Sequence, residues 1–226
     1  MDVCVVSLRG LSQEFYDSVS KAIPINNLIV DSKTKPLGKA REAVIRKVET
    51  ERFVFLDDDV YPPPNWYSDI MKFWTSDDIG WIEGWAVPSQ PPWYSKWALS
   101  RFNGASIHLI PYNGRGFTLD TVIRTQYVRD WVSPPDLDFF EDLALSNFVI
   151  SKRYKVLRVP VKSEHRISYN VFDQMRKGAK AADRKASARI SFSTKTFLSG
   201  VKASFSTGDM SIGYNALKLA WVALNP

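Results

Sequence analysis

One cysteine, Cys4, stands in a chain of 226 residues, so no intrachain disulfide can form and a reducing cytoplasm fits. Only two histidines are present, His108 and His165. No window approaches the roughly 18 consecutive apolar residues of a membrane span. The opening Met-Asp-Val-Cys-Val-Val-Ser-Leu lacks the basic region that begins a signal peptide and reads as a first strand instead. There is no internal repeat, no low-complexity segment and no linker. What is there can build a core: 45% of residues are hydrophobic and 13% aromatic, in a length that suits one substantial α/β domain or two small ones. Charge is divided. Residues 151–202 hold 14 lysines and arginines against 3 acidic residues, so the remainder is net acidic although the whole chain is +6. Such asymmetry points to a polyanionic partner: an anionic lipid surface, a nucleic acid or a phosphate-bearing substrate.

The stretch that organises the rest is residues 53–64, Phe-Val-Phe-Leu-Asp-Asp-Asp-Val-Tyr-Pro-Pro-Pro. A continuous apolar run suits a strand buried on both faces, as in a parallel sheet. It ends in Asp57, Asp58 and Asp59, and the prolines forbid further helix or central strand. Ligands of open α/β sheets bind beyond the carboxyl ends of the strands, where these three acids fall. Alternation along an extended chain sends Asp57 and Asp59 the same way. Two carboxylates that close repel unless a cation lies between them, and hard oxygen ligands suit Mg²⁺ or Mn²⁺ shared with substrate phosphates.

Taken in order, the chain alternates strand (Val3 to Leu8), helix (Ser12 to Ile23), strand (Leu28 to Val30, ending in Asp31), helix (Leu37 to Glu49) and strand (Phe53 to Leu56). That alternation predicts a parallel, doubly wound sheet. A short helix is expected over Trp66 to Trp74 and a strand over Ile79 to Val87. A strand follows over Gly116 to Leu119, a helix over Thr121 to Val128, a helix over Glu141 to Arg153 and a strand over Lys155 to Val161. From Asn170 to Phe192 the pattern is helical and basic, with Arg176, Lys177, Lys180, Arg184, Lys185 and Arg189. The simplest division is one α/β domain, residues 1–166, and a basic, amphipathic C-terminal extension, residues 167–226, packed on it.

A chemistry assembles from these parts. A carboxylate cluster and His165 hold a divalent cation that neutralises a diphosphate leaving group. A separate carboxylate takes a proton from the nucleophile. Lys39 or Arg41, near the sheet edge, helps hold the phosphates. Plainer roles compete: Asp31 capping its own turn, Glu141 and Asp142 as first-turn acids of a helix, His165 in the core or facing solvent. Trp81 and Trp85 read as core, while Trp93 and Trp97, beside prolines, are placed on the acceptor side.

Val30-Asp31, the helix Gly38 to Ala43 containing Ala40-Arg41, Asp57-Asp58-Asp59, the segment Gly114 to Arg124, Glu141-Asp142-Leu143-Ala144-Leu145 and the strand Arg153 to Pro160 leading to His165 occur in an order that resembles family 2 glycosyltransferases with the GT-A fold. The likeness runs from about residue 3 to 166. It implies a mostly parallel, Rossmann-like sheet flanked by helices, and transfer of a sugar from a UDP- or GDP-linked donor to a hydroxyl acceptor, saccharide or lipid-linked, with inversion. It implies Asp142 as general base, with Glu141 supporting it or binding the acceptor, and Asp31, Lys39, Arg41, Asp57 and Asp58 on the nucleotide sugar. Asp59, with Asp57 and His165, would hold Mn²⁺ or Mg²⁺. The family pattern is broken at Glu42, where asparagine is usual, and at Lys152-Arg153, where glycine often precedes the tyrosine. Lipid-linked acceptors favour an anionic membrane over nucleic acid as the partner of the basic extension, and so a cytoplasmic protein peripheral on the membrane's cytoplasmic face. The rivals are a nucleotidyltransferase, which also uses paired aspartates and a divalent ion, and a non-catalytic nucleic-acid or membrane binding protein.

Overall fold

The computed structural model describes residues 1–103, 105–167, 170–181 and 186–225, with side chains for all of these except 178, 181, 186–189 and 191. The elements are β1 (Asp2–Val6), α1 (Gln13–Ala22), β2 (Leu28–Asp31), α2 (Leu37–Arg46), β3 (Arg52–Asp57), β4 (Val60–Tyr61), α3 (Trp66–Met71), β5 (Ile79–Pro88), α4 (Pro92–Phe102), β6 (His108–Leu109), β7 (Asp120–Arg124), α5 (Glu141–Ser151), β8 (Lys155–His165), α6 (Val171–Ala181), α7 (Ala186–Thr207) and α8 (Met210–Leu224). The chain divides into two units, Met1–Ala86 with Ala105–His165, and Val87–Gly104 with Arg166–Pro226.

The first unit is a mixed sheet in the order β2-β1-β3-β7-β5-β8-β4, with β6 on β8. Strands β1, β2 and β3 are parallel, and β7 runs against both β3 and β5, so β5 shares their direction. Alternation along the strands feeds two cores. Val3, Val5, Val54, Leu56, Ile82, Val122, Val159 and Val161 pack with Phe15 and Val19 of α1 and Trp66 and Ile70 of α3. Cys4, Phe53, Phe55, Trp81, Ile123 and Val156 pack with Val44 and Ile45 of α2 and Leu145 and Val149 of α5. Helices on both faces explain why these strands read as unbroken apolar runs. Each fully buried phenylalanine, such as Phe15, Phe53 or Phe55, contributes about 1.5–3 kcal/mol. The Ser12 hydroxyl accepts the Phe15 N–H at 3.1 Å and starts α1 where the helical spacing begins.

One region departs from the sequence expectation. The strand predicted over 116–119 is loop, and the helix predicted over 121–128 is strand β7 followed by one 3₁₀ turn, Thr125–Tyr127. Thr121, Val122 and Ile123 are all buried between β3 and β5. A strand with neighbours on both edges and cores on both faces shows no period-2 pattern, so its β-branched run decides its form.

The second unit is helical. Its core holds Trp97, Val171, Ala203, Ile212, Ala216 and Leu219, with Trp93, Tyr94, Phe172 and Met175 against them. Trp93 and Trp97 stack at 6.4 Å, and Trp97 Nε1 donates to Ser199 Oγ at 3.1 Å. Helices α7 and α8 form a hairpin that turns at Gly208, φ +69°, with Asp209 capping α8 through the Ser211 N–H. Arg176, Lys177 and Lys180 fall on α6; Arg184, Lys185 and the Arg189 side chain lie outside the described residues.

Candidate functional site

Every residue expected from the sequence to act in catalysis, on the nucleotide sugar or on the metal falls in the first unit, whereas Trp93 and Trp97, expected on the acceptor side, pack in the core of the second. Alternation in β3 explains who meets whom. Phe53 and Phe55 face α2, so Asp57 does too, and there it meets Arg41. Arg41 sits on the buried stripe of α2 with Ala40, Val44 and Ile45. Its guanidinium lies 5.0 Å from the Phe55 ring centroid, a cation–π distance. Nη2 donates to Asp57 Oδ1 at 3.2 Å and Nε to Glu141 Oε1 at 3.1 Å. Nη1 is buried without a hydrogen-bond partner among the described residues.

The start of α5 is carried to Arg41 by the loop before it. Gly38 N–H donates to Leu137 O at 2.9 Å and Leu37 N–H to Asp138 Oδ1 at 3.0 Å. A Cβ at Gly38 would stand 2.2 Å from Ser133 Oγ, so the approach depends on glycine there. Glu42, where the family has asparagine, holds the same loop. It accepts the Ser133 N–H at 3.0 Å and pairs with Arg46 at 2.7 Å and Lys39 at 2.9 Å. Burial raises its pKa, but these donors outweigh it and bring Glu42 to about 2. Lys39 is thus engaged with Glu42 on the outer side of α2.

The Asp57 to Asp59 triplet is divided among three partners, because β3 ends at Asp57 and a turn follows. Asp57 goes to Arg41. Asp58 accepts from Ser7 Oγ, just past the end of β1, at 2.5 Å. Asp59 Oδ1 lies 3.2 Å from His165 Nε2. The last contact follows from register, since β4 pairs antiparallel with β8 and sets Val60 opposite His165. Asp31 accepts the backbone N–H groups of Lys33 and Thr34 at 3.1 and 2.8 Å and the Thr34 hydroxyl at 2.8 Å, so it ties down the loop after β2. Burial raises it, and these bonds from Thr34 and Lys33 bring its pKa down overall.

Burial pushes Asp57 up; neighbouring Asp59 adds to the rise, while Arg41 and His165 oppose it. Burial also raises Glu141, with Asp142 and Asp57 adding and Arg41 opposing. Burial lowers Arg41, but Asp57, Glu141 and Asp142 together hold its pKa above the ordinary value.

Asp142 points to a different base. Arg115 Nε donates to its two oxygens at 3.0 and 2.8 Å, and the guanidinium lies over the Phe117 and Phe140 rings at 4.8 and 5.1 Å. Behind Arg115 is a buried pair that sequence reading missed. Glu83 of β5 accepts from Arg158 Nε of β8 and from the Phe117 N–H, and Arg158 Nη2 donates to the Arg115 carbonyl at 3.1 Å. Burial raises Glu83 to about 7 against the pull of Arg158. The signal was present: a lone acid inside Gly-Trp-Ile-Glu-Gly-Trp and a lone arginine inside Val-Leu-Arg-Val-Pro, both in apolar strands. On the opposite face, Asp120 of β7 is fully buried, accepts from Ser163 Oγ and is held well above the usual carboxylate range by burial.

Among the described residues no group of three His, Cys, Asp or Glu is arranged to hold a metal ion. Asp59 and His165 nonetheless offer a carboxylate and an imidazole in contact, with Asp57 close enough to couple to both. Those donors fit Mn²⁺ or Mg²⁺, which take few protein ligands and complete their shell with phosphate oxygens and water.

Residues 11–129 match the profile of glycosyl transferase family 2. No curated protein matches the chain. Solved structures do. The mannosyltransferase PcManGT from Pyrobaculum calidifontis, in complex with GDP-Man and Mn²⁺, is 11% identical, with a TM-score of 0.59 over 99% of this chain and 73% of that one. S. aureus TarS 1–349 in complex with UDP is 17% identical, with a TM-score of 0.52 over 79% of this chain and 64% of that one. GalNAc-T7 with UDP, GalNAc and Mn²⁺ is 12% identical, with a TM-score of 0.54 over 74% and 43%. The chain thus spans less than two thirds of the TarS and GalNAc-T7 chains. At these identities the likeness is one of fold, the GT-A arrangement of a mostly parallel sheet flanked by helices. With more than half of its length under the family profile, the chain belongs to glycosyl transferase family 2.

Proposed function

We propose that this chain transfers a sugar from a nucleoside-diphosphate donor to a hydroxyl acceptor, with inversion and with a divalent metal, using Asp142 as general base. The observation that carries the reading is the arrangement around Arg41. One buried guanidinium joins Asp57, at the end of β3, to Glu141, the first acid of α5, with Asp142 in electrostatic range of it. Asp59 and His165, with Asp57 beside them, would hold Mn²⁺ or Mg²⁺, which when bound would neutralise the departing diphosphate. Asp31 and the β1 end, through Ser7 and Asp58, shape the edge where the nucleoside would lie. Asp142 would take the acceptor hydroxyl proton as the oxygen attacks the anomeric carbon from the face opposite the leaving group. Arg115, the outward partner of Asp142, would move aside for the acceptor. Neutral or charged according to its surroundings, Glu141 would hold Arg41 and the start of α5 in place. A UDP- or GDP-linked donor agrees with the ligands of the structural neighbours. The acceptor is a saccharide or a lipid-linked hydroxyl. The lone buried Cys4 and the basic C-terminal segment favour a cytoplasmic, membrane-peripheral location.

The test is a thermal-shift screen of UDP and GDP with Mn²⁺ and Mg²⁺, in wild type and in Asp59→Ala. A ligand that binds only the folded state raises Tm by mass action. A rise with one nucleotide plus metal, absent in the variant at unchanged ligand-free Tm, supports the reading. A flat wild-type response to both nucleotides overturns it.

A further inference from the structure

Helix α8 is apolar on two opposite sides. Ile212, Ala216, Leu219, Ala220 and Ala223 recur at helical spacing and are buried in the second unit. Met210, Tyr214, Leu217 and Trp221 recur at the same spacing on the other side and are exposed, Trp221 by 67%. Phe205, in the last turn of α7, is 76% exposed. The inner side is fully used: Gly200 of α7 comes so close to α8 that a Cβ there would stand 2.1 Å from the Ala216 Cβ. An outer stripe of large apolar side chains is rare on a surface that meets only water.

Charge says what covers it. The second unit carries 12 lysines and arginines against 3 aspartates. Of those aspartates, Asp173 pairs with Arg176 at 3.2 Å and Asp209 with Lys96 at 2.7 Å. The one charged residue of α8 is Lys218, whose Nζ sits 4.3 Å from the Tyr214 ring centroid. Lys202, three residues before Phe205, is exposed. A second copy of the chain would bring this strongly basic unit against itself. An anionic lipid surface complements it, and tryptophan and tyrosine with neighbouring lysines suit the depth of the headgroups. No helix among the described residues is long and apolar enough to cross a membrane, so the stripe would lie along the surface.

We propose that the outer side of α8, with Phe205, docks in the plane of an anionic lipid bilayer. The proposal does not depend on the catalytic reading, and its test involves no nucleotide. Purified full-length chain is sedimented with vesicles of phosphatidylcholine alone and of phosphatidylcholine mixed with phosphatidylserine. The variants are Leu217→Ser with Trp221→Ser, and Lys202→Ala with Lys218→Ala; all replaced side chains are exposed, and Tm and circular dichroism verify folding. Wild type is expected to sediment with the anionic vesicles and to be released by added salt. The apolar double variant should lose roughly tenfold or more in affinity. The lysine double variant should lose about fivefold per lysine on anionic vesicles. Absence of wild-type binding to anionic vesicles overturns the proposal, as does unchanged binding by the folded apolar variant. So does a stable lipid-free dimer in sedimentation velocity that the apolar variant dissolves, which would assign the stripe to a second copy.

Discussion

Glu83 and Arg158 are hydrogen-bonded across the neighbouring strands β5 and β8, on the face of the sheet that carries Asp57 and packs against α2 with its Arg41. The carboxylate accepts the Phe117 amide with its second oxygen, and the guanidinium holds the Arg115 carbonyl, so together they fix the loop from which Arg115 reaches Asp142.

Burial holds the Glu83 proton up to about pH 7, whereas an unfolded chain releases it near its ordinary value of 4.5. The folded state therefore binds more protons between those values. Stability from this group is complete below pH 4.5 and is lost as pH rises through 7, in all about 3 kcal/mol. Glu83→Gln removes the titration. Urea denaturation at pH 5 and pH 8 should show wild type losing stability relative to this variant as pH rises; an unchanged difference refutes the assignment.

Arg41 lies between Asp57 and Glu141, with Asp142 in electrostatic range. Arg41→Met leaves those acids without their buried cation and should cost about 3–5 kcal/mol. Because Asp57 and Glu141 are already shifted upward, they protonate readily, so the loss should be smaller at pH 5 than at pH 8. Adding Asp57→Asn and Glu141→Gln should restore much of it, read as Tm against pH.

Asp142→Asn should lower kcat by about 10²–10⁴-fold if this carboxylate is the base. Nucleotide-dependent Tm shifts should remain as in wild type. Arg115→Ala, which frees Asp142 from its guanidinium, should leave a measurable rate. Full activity in Asp142→Asn would exclude the role.

Gly84 leaves no room for a side chain. A Cβ there would sit 2.5 Å from Asp120 Oδ2 and 2.8 Å from the Val161 carbonyl. Gly84→Ala should destabilise by about 1–3 kcal/mol, since the obstacle includes backbone. Calorimetry beside Gly10→Ala, at an open position of φ +78°, separates crowding from backbone strain.

The alternation of strands and helices through Leu56 was legible because each of those elements is covered on a predictable face, and Ser12 and the prolines after Asp59 mark ends locally. The acids at the end of β3 and the start of α5 were legible as positions. Strand β7 was misread as helix because burial on all sides erases the period that separates the two forms. Glu83 and Arg158 carried a signal, single charges in apolar strands, but nothing local ties residue 83 to residue 158.

By itself, the sequence of this protein determined the alternation of strands and helices through Leu56 and that carboxylates gather at strand ends, since these follow from short-range sterics and periodic burial. Only the tertiary structure decided the partners: Asp57 with Arg41, Asp58 with Ser7, Asp59 with His165, Asp142 with Arg115. Those choices depend on β7 lying between β3 and β5 and on the β4–β8 register, contacts between segments far apart in the chain whose pairing no local pattern encodes.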